Sequence, residues 1–118
     1  MLKFAECQME VSFKSKKHER ILGDDRLLLK TYGENARDVK KCHQLLVAAT
    51  RLADLTVARV RRCHQLSGDR EDCFAMDDKQ PFRFVFMPTP PVPRKEDGGI
   101  DCGKVVSVVV VDPCVDYH

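Results

Sequence analysis

The run VVSVVVV, residues 105–111, constrains the fold more than any other stretch of this chain. β-Branched side chains suit a pleated surface, and valines without polar alternation read as a strand buried on both faces. Proline cannot donate to a ladder, so Asp112-Pro113 is expected to end that strand, with Val115 to His118 closing the chain.

Shorter stretches supply its neighbours. Phe82, Phe84 and Phe86 alternate with Arg83, Val85 and Met87, which reads as a strand with Arg83 on the side away from the phenylalanines. Cys73 to Met76 reads as the strand before it, and RRCHQL, residues 61–66, as a short strand before that. Gly68-Asp69 and Asp77 to Pro81 are turns. The segment MPTPPVPRKEDGGIDCG, residues 87–103, is a long stiff loop.

The first half has a different texture. MEVSF, residues 9–13, alternates as a strand. Ser15 can cap a helix, SKKHERIL, that Gly23 closes. Asp24 and Asp25 open the leucine run at Leu27, and Gly33 breaks it. From Asn35 to Arg51 a stripe of Ala36, Val39, Cys42, His43, Leu46, Val47 and Thr50 predicts a helix, with Arg37, Asp38, Lys40 and Lys41 on its other face. The connector LADLTVA comes next. Helices first and consecutive strands after indicate α+β with an antiparallel sheet.

The 118 residues make one domain, 9–118. Residues 1–8 form an extension, or Met9 is an alternative start. The six cysteines show no CxxC pair, the first residues lack a secretory signal, and no stretch of 18 apolar residues exists. These features predict reduced thiols in a cytoplasmic protein with no membrane partner. The net charge is only +2, but basic residues crowd the first half and admit an anionic partner.

The tetrapeptide CHQL occurs twice, at Cys42 and at Cys63. The first copy falls in a helix and the second on a strand, so it is not a structural repeat. Adjacent residues diverge on either element, so neither Cys-His pair readily gives two ligands to one ion, and no metal is expected. His43 reads as a partly buried histidine on an apolar stripe. His64 stands just before a turn and Arg70, and the C-terminal half of the chain gives it a chemical context.

His64, Arg83 and the terminal Asp116-Tyr117-His118 can be brought to one face by consecutive antiparallel strands. Metal-free RNA cleavage needs a base for the ribose 2′-hydroxyl, an acid for the leaving oxygen and positive charge on the phosphorane. Two histidines and an arginine can meet those needs near neutral pH.

From Met9 to His118 the chain resembles the HigB-type toxins of the RelE/ParE superfamily, the plasmid maintenance killer proteins. The matching stretches are MEVSF, the LADL segment, CHQLSGDR, the strand PFRFVF and the terminal VDYH, in the same order and spacing. The resemblance implies a RelE-like α+β fold, an N-terminal strand and helices packed on a curved antiparallel sheet. It implies a type II toxin: a ribosome-dependent mRNA endoribonuclease, or mRNA interferase, of the bacterial cytoplasm. Such an enzyme uses 2′-hydroxyl attack, leaves a 2′,3′-cyclic phosphate and needs no cofactor. Its implied partners are a HigA-like helix-turn-helix antitoxin, the ribosome and mRNA.

Carried over by position, His64 and His118 share acid and base work, and Arg83 stabilises the phosphorane. Tyr117 contacts base or ribose, and Asp116 orients the site. Arg70 is a candidate RNA contact. Ser67 stands where family members often carry lysine, and Arg61 or Arg62 could replace that phosphate contact. The 87–103 loop is longer than the hairpin of compact members. Two other readings stay open. One is a non-catalytic ParE-like inhibitor of gyrase, against which the histidine pair counts. The other is a weakened toxin serving mainly as an antitoxin-binding partner, for which Ser67 leaves room.

Overall fold

The computed structural model describes residues 8–67 and 72–116. The candidate residues Arg70, Tyr117 and His118 lie outside the described residues. The elements are β1 (Glu10–Phe13), α1 (Lys16–Leu22), α2 (Asp25–Tyr32), α3 (Ala36–Ala48), the one-turn α4 (Ala53–Thr56), β2 (His64–Gln65), β3 (Phe74–Asp77), β4 (Phe82–Pro88) and β5 (Ser107–Asp116).

Local chemistry sets the helix ends. The Ser15 hydroxyl accepts from Lys17 N at 3.1 Å, and Gly23 N donates back to Glu19 O. Asp24 Oδ1 accepts from both Arg26 N and Leu27 N, so α2 starts there. Gly33, at φ 56°, ends it in a conformation other residues rarely adopt. Of the leucine run, Leu28 is buried while Leu29 is 64% exposed.

The sheet has the order β1-β5-β4-β3-β2. The fold is α+β, but the sheet is mixed where an antiparallel one was expected. β1 runs parallel to β5, with Val11 opposite Val108 and Phe13 opposite Val110. A parallel pair needs a long connection, and here the chain runs through the helices and β2–β4 between the two strands. The remaining pairs are antiparallel.

β5 therefore lies between β1 and β4, which accounts for its valines: Val108 and Val110 are fully buried and Val109 and Val111 half-buried. It does not stop at Asp112-Pro113. It continues to Asp116 through two register shifts against β4. One shift sets Pro113 and Cys114 against the single residue Phe84, and Cys114 N donates to Asp112 Oδ1 at 3.1 Å. A bulge is where a strand tolerates a proline, since no ladder donor is needed there.

The helices cover one face of the sheet. Ile21, Leu28, Val39 and Leu46 pack against Phe74, Met76, Phe84, Phe86, Val108 and Val110. The opposite face carries a smaller cluster of Leu66, Cys73, Ala75 and Val85, with Met87, Val111 and Val115 against it. Among the described residues no helix is long and apolar enough to cross a membrane.

Candidate functional site

RRCHQL becomes a strand only at His64. Before it, Val60–Arg62 forms a tight 3-10 turn. Arg59, Arg61 and Arg62 all hold positive φ, at 52°, 48° and 57°. Each such arginine costs on the order of 1 kcal/mol or more, so tertiary contacts must hold the turn. Arg61 makes those contacts on the helix side. Its Nη2 donates to Asp38 Oδ1 at 2.6 Å and its Nε to Cys42 Sγ at 3.3 Å, both on α3. Arg62 turns the other way, with Nε 3.6 Å from Asp77 Oδ2. Of the two candidate replacements for a phosphate-binding lysine, only Arg62 reaches the residues around Arg83.

Strand register gathers the rest. His64 is opposite Ala75, Asp77 opposite Arg83, and Arg83 opposite Val115. Because side chains alternate, His64, Asp77 and Arg83 share the face away from the helices. His64 and Arg83 are two strands apart, roughly 10 Å across the sheet. Asp77 is the hub between the cations. Its Oδ2 accepts from Gln80 Nε2 at 3.0 Å, and its Oδ1 lies 3.9 Å from Arg83 Nε. Oδ1 is buried and has no hydrogen-bond partner among the described residues. Two guanidiniums around one carboxylate leave a positive balance that an anion can use.

His64 Nδ1 lies 2.7 Å from the Arg62 carbonyl oxygen. A carbonyl only accepts, so Nδ1 carries the proton and Nε2 of the neutral ring is left with its lone pair. Asp116 is exposed at the end of β5, opposite Phe82 and one residue past the Val115–Arg83 pair. Thus His64 and Arg83 share a face as expected, whereas alternation puts Asp116, the partner of Phe82, on the opposite face, one residue beyond the Arg83 pair, so the expected single face does not include it.

Two clefts border these residues. One of about 430 Å³ lies at the free edge of β2, lined by Arg59, His64, Gln65 and Lys95 together with the buried Phe74 and Ile100. Another of about 340 Å³ follows the polar face of α3, with Arg37, Lys40, Lys41 and Arg61 around Asp38.

Several polar groups lie inside, away from this face. Asp78 is 6% exposed, and neither carboxyl oxygen has a hydrogen-bond partner among the described residues. Burial, reinforced by Asp38 and Asp77, pushes its pKa up to about 7 against the pull of Cys42 and Arg61. Burial also raises the Cys42 thiol and pushes Tyr32 up to about 12. The first CHQL copy sits within α3. There His43 packs 5.5 Å from the Phe13 ring, and burial lowers its pKa, so it is a neutral packing group.

Asp77 was legible only as a turn residue. A register count through the β3–β4 hairpin would have set it opposite Arg83. Asp78 offered no signal, since its neighbours come from α3 and the Arg61 turn.

Comparison with protein-family models, with curated proteins and with solved structures finds no match to this chain.

Proposed function

We propose that the protein is a HigB-type toxin with a RelE-like fold, a metal-independent endoribonuclease that cuts mRNA on the ribosome. The observation that carries this reading is one sheet face that holds both His64, hydrogen-bonded to the Arg62 carbonyl, and the pair of guanidiniums Arg62 and Arg83 at Asp77. In this reading His64 Nε2 takes the 2′-hydroxyl proton, and the resulting imidazolium keeps its Nδ1 bond to the Arg62 carbonyl. Arg83 exchanges Asp77 for the scissile phosphate and donates two parallel N–H bonds to it. Arg62 adds the second cation that Ser67 does not supply. His118 returns a proton to the leaving 5′-oxygen, Tyr117 contacts base or ribose, and Asp116 orients the site. The 2′-oxygen bonds to phosphorus as the P–O5′ bond breaks, giving a 2′,3′-cyclic phosphate and a 5′-hydroxyl. A HigA-like antitoxin in the same bacterial cytoplasm is the partner that would silence it.

Purified protein added to mRNA-programmed ribosomes tests this, with primer extension and end-group analysis at EDTA levels that spare the ribosome. Cuts within A-site codons ending in cyclic phosphate are expected. His118→Ala and Arg83→Ala should each reduce cutting by about 10²-fold or more and relieve growth inhibition in cells. Intact mRNA beside a folded, growth-inhibiting protein would move the assignment to a non-catalytic, gyrase-type toxin.

A further inference from the structure

We infer that the cleft at the free edge of β2 is a subsite for a nucleotide of single-stranded RNA adjacent to the one cut, its phosphate held between Arg59 and Lys95. The inference deepens the reading above and rests on it. Its first support is charge. Among the described residues no acidic side chain lines this cleft. Arg59 and Lys95 make no ion pair among the described residues, whereas Arg61, Arg62, Arg83 and Arg94 each do. Two cations that make no ion pair, gathered in one concavity, attract a phosphate.

The second support is the cost of the arrangement. Arg59 keeps a left-handed backbone, φ 52°, and its carbonyl accepts from Arg62 N at 2.9 Å. That conformation is maintained although the Arg59 side chain has no acidic partner among the described residues, the kind of outlier that points toward function. Lys95 is also held. Its N donates to Gly99 O at 2.7 Å, its carbonyl accepts from Gly98 N at 2.9 Å, and Arg94 bridges to Ile100. Arg94 Nη2 further ties the loop to Asp72 Oδ2 at 2.7 Å. The loop after β4, residues 89–101, thus forms a fixed wall of the cleft.

The third support is position and chemistry. His64 belongs to both the cleft and the candidate catalytic face, so a strand crossing from Arg83 past His64 leaves the sheet at this edge. The volume of about 430 Å³ suits a small organic group, and Val57, 83% exposed, adds apolar surface beside the cations. An apolar surface next to a phosphate clamp fits a nucleotide better than a bare anion.

The test is an amide-shift titration of the full chain with an uncleavable 2′-O-methyl trinucleotide. Shifts are expected at Gln65, Lys95 and Ile100 as well as at Ala75 and Arg83. The pair Arg59→Gly and Lys95→Ala should weaken binding about tenfold or more and silence the cleft alone. It should also lower the salt slope by ~0.7, the value for one phosphate neutralised on a single strand. Glycine adopts the Arg59 backbone freely, so the turn persists in that variant. A responsive Arg83 face with a silent cleft overturns the subsite and leaves the cleavage reading standing. Silence everywhere also overturns it, and the ribosome assay then decides the catalytic reading by itself. Inorganic phosphate matching the trinucleotide in affinity overturns the nucleotide assignment.

Discussion

Asp77 and Asp78 are neighbours in sequence with opposite fates. Asp77 faces two guanidiniums on the sheet, while Asp78 is enclosed with both oxygens unpaired among the described residues. Burial raises the Asp78 pKa from 3.8 to about 7. Between those values the folded carboxyl holds a proton that the unfolded one releases. Its contribution to stability is therefore complete below about pH 4 and lost as the pH rises to about 7, at most ~4 kcal/mol for three units. Asp78→Asn stays neutral throughout. It should flatten that part of the profile and unfold at higher urea than the parent at pH 8. An unchanged pH slope in the variant would show that Asp78 is not buried as a carboxylic acid. At this scale His64 and Arg83 were readable, one from its place before a Gly-Asp turn and the other from strict alternation with phenylalanines. Asp78 was not, because its environment is assembled from α3 and the Arg61 turn, neither of which is local to it.

The elements differ in how far pattern alone defines them. The α3 stripe read from periodicity holds seven residues, yet its buried line is Ala36, Val39, Cys42 and Leu46, with His43 half-buried, Val47 37% exposed and Thr50 exposed beyond the helix end at Ala48. Periodicity gives the direction of a helix's apolar face, and the surface it meets decides how much of that face is covered. Leu46→Ala should cost about 2–5 kcal/mol in urea denaturation, and Val47→Ala under about 1. Equal costs would mean that α3 is rotated about its axis. At α2, Asp24→Ala should cost about 1 kcal/mol, because one carboxylate oxygen satisfies two backbone donors there. The strand errors share one cause. Arg61 is drawn out of extended backbone by Asp38, and Pro113 is accepted inside β5 because a bulge absorbs it. Both are tertiary effects that override a local signal.

For the molecule as a whole, the position of β5 is decisive. The last strand in sequence lies second in the sheet, clasped by the first strand on one side and β4 on the other. Sequence order suggested an antiparallel series and gave no hint of the parallel partner, because a connection through the helices and β2–β4 leaves no local mark. A chain ending at residue 103 would keep α1–α4 and β1–β4, but β1 would lose the only strand it pairs with among the described residues. The core would lose Val105, Val108 and Val110, and β4 would expose an edge. Such a chain should show no cooperative unfolding transition by circular dichroism. Adding residues 104–118 as a separate peptide should restore one, since registers with β1 and β4 specify where that strand docks. The same complementation should restore RNA cutting, because the peptide carries Asp116, Tyr117 and His118 while Arg83 and His64 remain on the larger piece. Restored folding without restored cutting, in a pair whose intact parent cuts, would locate the chemistry away from the strand end that β5 brings to Arg83.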